Sequence, residues 1–332
     1  MIVEKSMYFK FLNKSSVFGG QEKYLEMLIS SLIEKGYDVC YEGTPKLNID
    51  NEKYNLSDDY ILVINGNSSL YSSYLFLLSR KPSNCLGIIY VQHSDINDNQ
   101  SSNYKIGVRY VLMSILLFFV DKIIRVSPTC FPDFFYGKKI HTIFNGVKLP
   151  DSSPRHINSK EVKLLMVGAV NNNKNQKMAI EALKYNKKYS LTIVGDGPEI
   201  SRLKEYSKDI GVDDRVFWVG FTKSIEGYYN DSDFLLMLSF NEALPLVVLE
   251  AMSYGLPVIS VPVGGVPKVI KNGFNGTIID DYSSMLLSNI IDSITCDGNL
   301  YHSLSRHSIL SVRDNFSLDV MTNKFIKLAK SL

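Results

Sequence analysis

The chain has 332 residues, more than one compact core usually holds, so two domains are expected. Hydrophobic residues make up 45% and charged residues 21%, the balance of an ordinary soluble globular protein, and a formal net charge of +2 gives no reason to expect nucleic-acid binding. Cys40, Cys85, Cys130 and Cys296 are far apart with no CxxC pair, which argues against a disulfide framework or zinc site and for reduced thiols in a cytoplasmic protein.

The opening MIVEKSMYFKFLNKSS lacks the long apolar segment and small-residue cleavage site of a signal peptide. Gly19 and Gly20 fall between a presumed first strand and a helix. They form either a tight turn or a place where backbone approaches a ligand closely. The helix, EKYLEMLISSLIEKG (22–36), carries apolar residues at 24, 25, 28, 29, 32 and 33 and ends at Gly36. YILVIN and LGIIYVQ are apolar nearly throughout, as strands covered on both faces are. His93 follows the second of them and precedes a polar loop containing Asp95. The run YVLMSILLFFV (110–120), closed by Arg109 and Asp121, is shorter than the roughly 20 residues a bilayer requires. It reads as a core helix, with a helix touching a membrane surface as the alternative.

KIIRVS is a further strand, and then NGVKLPDSSPRHINSKEVK (145–163) breaks the pattern. It is polar, holds two prolines and reads as a linker, dividing the chain near residue 155 into two Rossmann-like halves, 1–155 and 156–316. Beyond it KLLMVG, YSLTIVG, RVFWVG, DFLLMLS and PVISVP alternate with helical stretches such as NQKMAIEALKY and EISRLKEYSKDIG. The closing segment is a helix (317–332) with Ser317 as its N-cap. Strand–helix alternation means an α/β chain with parallel sheets and crossover helices. Ligands of such sheets bind outside the carboxyl ends of the strands, and two of them facing each other would make an interdomain cleft.

The stretch SFNEALPLVVLEAMSYGLPVIS (239–260) holds only two charged residues, Glu242 and Glu250, with seven residues between them. Ionised carboxylates in apolar surroundings are costly unless something satisfies them. DFLLMLS is a strand and PLVVLEAMSYG a helix, with Pro245 in the first turn and Gly255 at the C-terminal turn. Leu244 and Pro245 then lead into free backbone N–H groups at Leu246 and Val247, an anion site suited to phosphate. A phosphate there would have one glutamate on each side, each able to accept hydrogen bonds from hydroxyls, which matches the shape of a nucleotide-sugar. The plainer reading makes Glu242 a capping acid and Glu250 a surface residue of an amphipathic helix.

EALPLVVLEAMSYGLPVISVPVGGVPKVI resembles the C-terminal signature of the retaining glycosyltransferases of family 4, which have the GT-B fold, two Rossmann-like domains around a cleft. VFGGQEKYLEMLISSLIEKGYDV, TIFNGV, IVGDGPE and VFWVGF are similar to other segments of that family in the same order. The resemblance implies that Glu242 contacts the donor sugar and Glu250 the ribose. It implies that Gly19 and Gly20 lie over the diphosphate or near the acceptor, and that His93, or Asp95 nearby, faces the reacting sugar. VGAVNNNKNQKMAIEAL resembles the phosphate loop of the family, with Gly168 at its start and Lys174 as the phosphate-binding lysine; Ala169 stands where the family has Arg. Asp-Ser-Asp at 231–233 reads as a short acidic turn rather than a metal site, and Gly-Asp-Gly at 195–197 lacks the third glycine of a dinucleotide fingerprint.

The resemblance implies an enzyme with no metal and no cofactor. It would move a hexose or N-acetylhexosamine, from UDP for preference over GDP, to a saccharide or lipid-linked acceptor in bacterial surface polysaccharide synthesis. The N-terminal domain would bind the acceptor, with helix 317–332 packed back on it, and the C-terminal domain the donor. The location would be cytoplasmic, with possible peripheral contact at the inner membrane face. The alternatives are a glycosyltransferase-like partner subunit without catalysis, motivated by Ala169, and a nucleotide-sugar epimerase of the same fold.

Overall fold

The computed structural model describes residues 8–15, 19–47, 58–93, 103–128, 136–157 and 160–332, with the side chains of 103–110 left out of the description. The chain forms two compact units, Met1–Gly146 with Leu318–Leu332, and Val147–Ser317.

The first unit runs β1 (Tyr8–Lys14), α1 (Gly20–Glu34), β2 (Asp38–Thr44), β3 (Tyr60–Asn65), α2 (Gly66–Ser72), α3 (Tyr74–Leu78), β4 (Cys85–Gln92), α4 (Asn103–Phe118), β5 (Lys122–Arg125) and β6 (Ile140–Thr142). These strands form one parallel sheet in the order β2-β1-β3-β4-β5-β6. The second unit runs β7 (Val162–Val167), α5 (Gln176–Ala182), β8 (Tyr189–Val194), α6 (Ile200–Asp209), β9 (Val216–Gly220), α7 (Glu226–Asp231), β10 (Phe234–Met237), α8 (Leu246–Ser253), β11 (Val258–Ser260), α9 (Val266–Val269), β12 (Thr277–Ile278), α10 (Ser284–Cys296) and α11 (Gly298–Asn315). Its sheet is also parallel, in the order β12-β11-β10-β7-β8-β9. The last helix, α12 (Leu318–Ala329), begins directly after Ser317 and belongs to the first unit.

Helices cover both faces of each sheet, which is why β3 and β4 are apolar and buried at almost every position. In the first unit alternate strand residues face opposite sides. Leu62, Ile64, Ile88, Tyr90 and Ile123 pack against Leu70, Leu77, Met113, Leu116 and Leu117 from α2, α3 and α4. On the other side Phe325 of α12 lies 5.4 Å from the Phe9 ring and 6.2 Å from Phe11. Thr322 on the same helix donates to Ser31 Oγ of α1 at 3.0 Å. The periodic stripe of α1 is buried at Tyr24, Leu25, Leu28, Ile29 and Leu32, whereas Ile33 reaches solvent.

The apolar run 110–120 is a core helix on one face only. Met113, Leu116, Leu117 and Val120 are buried, while Val111, Leu112, Ile115, Phe118 and Phe119 are exposed, Phe118 to 69%. Among the described residues no helix is long and apolar enough to cross a membrane. The polar stretch after Gly146 is pinned to the second unit. Ser152 Oγ donates to Ser253 O at 2.7 Å, and the Arg155 guanidinium donates to the carbonyls of Tyr254 at 2.8 Å and Ser232 at 2.9 Å, occupying acceptors left over at helix ends.

In the first unit the sheet order reverses between β1 and β3, and in the second between β7 and β10. At such a switch point the loops leave in opposite directions and open a crevice at the carboxyl ends of the strands. Phe325→Ala is expected to lower the stability of the first unit by about 3–5 kcal/mol; denaturant unfolding of the full chain checks this, and an unchanged transition would contradict the packing assigned to α12.

Candidate functional site

The crevice of the second unit lies between the loop after β7 and the loop after β10. Asn173 ties the two together. Its carbonyl accepts from Phe240 N at 2.8 Å, its Oδ1 accepts from Asn241 N at 2.9 Å, and its Nδ2 donates to Asn241 O at 2.9 Å. Lys174, the next residue, closes a single 3-10 turn (Asn172–Lys174) whose first amide partner is the Asn171 side chain. Its ammonium pairs with the Glu242 carboxylate. The two side chains are 19% and 16% exposed, so the pair is largely withdrawn from water and only weakly screened. Gly168 lies under the Lys174 methylenes: a Cβ built there would be 3.2 Å from Lys174 Cε.

Two glycines elsewhere are demanded by this arrangement. Gly264 has φ +52, and a side chain on it would stand 1.6 Å from the Glu242 carbonyl oxygen. Gly195, the first glycine of Gly-Asp-Gly, has φ +147 and would meet the Gly168 carbonyl at 1.9 Å. Both allow backbone segments to touch beneath the site. Asp233, from the acidic turn, accepts the Lys163 amide at 2.8 Å and so aligns β10 with β7.

Helix α8 starts one residue later than its sequence suggests: Pro245 is the N-cap, in extended backbone, and no side chain caps the helix. The Leu246 and Val247 amides occupy the first positions, ahead of the first i to i−4 bond. Leu244, Pro245 and Leu246 are buried, and Val247 is half-buried. Glu242 is therefore not the capping acid of α8; it is an ion-pair partner. Glu250 is not a surface residue either. It is 8% exposed, and its Oε2 accepts from the Tyr229 hydroxyl at 2.8 Å. Burial, with the Glu250 charge beside it, holds the Tyr229 phenol well above its ordinary pKa, so it stays a donor.

In the first unit His93 follows β4. Its Nε2 lies 2.7 Å from Asn65 Oδ1 at the end of β3, and its ring meets Tyr24 edge-on at 4.8 Å. Burial pushes its pKa down to about 3, so the imidazole is neutral near pH 7. Asp95 lies outside the described residues. Gly19 is the N-cap of α1, and its amide donates to Glu22 Oε2 at 2.9 Å. Gly19 and Gly20 are exposed, and a Cβ at Gly20 would have no neighbour within 4 Å among the described residues. The other Glu22 oxygen is buried with no partner among the described residues.

Asn173, Tyr229, Asn65 and Asn13 all escape a reading of the sequence. Asn65 left a faint trace, a single amide at the end of an otherwise apolar strand; Tyr229 left none. Ala169 is exposed; Lys174 lies on the same loop, and Arg202 reaches that loop from α6, its Nη2 3.3 Å from Asn172 Oδ1. Tyr229→Phe removes a hydrogen bond to a buried carboxylate and is expected to cost about 1–3 kcal/mol. The denaturant midpoint should fall with the slope unchanged; an unaltered midpoint would contradict the pairing.

Residues 150–309, nearly the whole second unit, match the family model for glycosyl transferases group 1. An uncharacterized glycosyltransferase of Haemophilus influenzae is 25% identical over 93% of this chain and 96% of its own length. An Escherichia coli UDP-Gal:alpha-D-GlcNAc-diphosphoundecaprenol alpha-1,3-galactosyltransferase is 33% identical over 43% of this chain and 41% of its own. Other curated relatives are matched over about a third of their length, 35% and 29% in two cases. Among solved structures, that of Anabaena HepE in complex with UDP-glucose superposes with a TM-score of 0.78 over 98% of this chain and 100% of HepE, at 18% identity. The two parallel six-stranded units have the GT-B fold, and residues 150–309 of the second unit are similar to the group 1 glycosyl transferases.

Proposed function

We infer that the chain is a retaining, metal-independent glycosyltransferase using a UDP-sugar, and that the crevice between β7 and β10 is its donor site. One observation carries this reading: a withdrawn Lys174–Glu242 pair beside the uncapped start of α8, with buried Glu250 in the next turn of that helix. The Leu246 and Val247 amides and the Lys174 ammonium bind the diphosphate. Glu242 accepts from hydroxyls of the donor sugar, and Glu250, steadied by Tyr229, from the ribose. The bond from the anomeric carbon to the phosphate oxygen breaks with its electrons leaving on the diphosphate, where Lys174 and the helix amides offset the new charge. The acceptor oxygen attacks from the same face and gives its proton to the leaving phosphate, which retains configuration. The UDP-glucose bound to HepE and the UDP-Gal named for the E. coli relative support the choice of nucleotide.

The acceptor is a saccharide or lipid-linked saccharide of a bacterial surface polysaccharide, met by the first unit. The undecaprenol diphosphate in the name of the E. coli relative supports this class. So does the exposed apolar face of α4 and α3, with Leu75 at 67%, Leu78 at 55% and Phe118 at 69% exposure. Arg80, Lys81 and Lys138 are exposed in adjoining segments, the composition of a contact with an anionic membrane surface. Ala169 favours a second reading, a partner subunit that binds no donor; Arg202, reaching the same loop from α6, offers a replacement cation.

Calorimetry with UDP and GDP in EDTA separates these readings. UDP binding without metal is expected, weakened about tenfold or more by Glu250→Ala; absence of binding by either nucleotide would favour the partner subunit. In co-sedimentation, vesicles rich in anionic lipid should retain the protein, and Phe118→Ser should release it. Equal recovery with anionic and zwitterionic vesicles would remove the electrostatic part of the membrane contact.

A further inference from the structure

At the switch point of the first unit, buried side-chain amides form a chain with one fixed end. Thr44 O can only accept, and it takes a hydrogen bond from Asn13 Nδ2 at 2.9 Å. The amide group of Asn13 must therefore point its nitrogen at Thr44 and its oxygen the other way. That oxygen receives Asn65 Nδ2 at 2.9 Å and Gln21 Nε2 at 3.3 Å. Asn65 has then committed its nitrogen, so its oxygen faces His93 Nε2 at 2.7 Å. Reversing either amide would set oxygen against oxygen or NH2 against NH2 along the chain. Asn13 is 3% and Asn65 0% exposed, so water does not substitute for a broken link. With an oxygen opposite it, Nε2 must carry the ring proton.

We propose that Asn13 and Asn65 are positioning residues that hold His93 as the Nε2–H tautomer, so that Nδ1 is presented as the acceptor for a saccharide hydroxyl. The ring is fixed as well as the proton: Tyr24 packs edge-on against it from α1. Glu22, also on α1 and 3% exposed, is committed through one oxygen to the Gly19 amide rather than to the imidazole. A neutral imidazole with an open lone pair orients a neutral hydroxyl without presenting a charge to it. Only the identity of that hydroxyl rests on the glycosyltransferase reading; the tautomer follows from the hydrogen-bond chain itself.

Long-range proton–nitrogen correlation spectra of the full chain test the relay. The protein has five histidines, and His93→Gln assigns the His93 signals by difference. The expected wild-type pattern is a pyridine-like Nδ1 and a pyrrole-like Nε2. Asn65→Leu should abolish that preference. A pyrrole-like Nδ1 in the wild type, or a wild-type pattern in Asn65→Leu, would overturn the proposal. UDP calorimetry on the same samples keeps the two claims apart. Unchanged UDP binding in Asn65→Leu is expected, since the second unit is untouched. No UDP binding by wild type, with the predicted His93 pattern, would sink the glycosyltransferase reading and leave the relay standing.

Discussion

Everything at the crevice of the second unit depends on keeping the Lys174 ammonium beside the Glu242 carboxylate with little water around them. Two opposite charges so placed attract strongly, but their desolvation is costly unless the geometry is held by something else. Here it is held by the two loops that carry the pair. Asn173 locks the two loops to each other by three hydrogen bonds, and Gly264 lets the chain pass directly against the Glu242 carbonyl. The pair is thus a product of the sheet order, which brings the ends of β7 and β10 side by side although Met237 lies 70 positions after Val167.

The remaining features fit around a ligand that would split this pair. In the proposed donor site a diphosphate would compete with Glu242 for Lys174 beside the start of α8, which no side chain caps. Glu250 sits in the following turn, too buried to be a solvated carboxylate, with Tyr229 holding one of its oxygens. Tyr229 comes from α7, so the helix before β10 orients a residue on the helix after it. The first unit is arranged differently, with Glu22 bound to the Gly19 amide rather than to a cation. Its switch point is lined by amides and a neutral imidazole, groups suited to hydroxyls rather than to phosphate.

What could be read from the sequence was what is local. The α1 stripe, the strands YILVIN and LGIIYVQ, and the strand-to-helix turn at Glu242 and Pro245 all follow from short-range pattern and turn chemistry. The run 110–120 resisted because Ser114 is almost its sole polar position: with so few, periodicity cannot say which face is buried, and α4 uses one face for the core while exposing the other. The partners of Glu250 and His93 were hidden for a different reason. Tyr229 and Glu250 are 21 residues apart, and Asn65 and His93 are 28, with a strand or helix between. Only the fold brings them within hydrogen-bond distance, and a tyrosine or asparagine in isolation carries no mark of that role.

The most direct test of the account compares UDP affinity in Lys174→Met and Glu242→Gln. If the ion pair is a donor site at rest, the two changes act in opposite directions. Lys174→Met should weaken UDP binding by about tenfold, as loss of a charged hydrogen bond does. Glu242→Gln should leave UDP affinity intact or raise it, because UDP carries no sugar for Glu242 to hold and the lysine is no longer claimed by a carboxylate. Equal loss in both variants would mean that the pair is a strut joining two loops, and that the donor binds elsewhere.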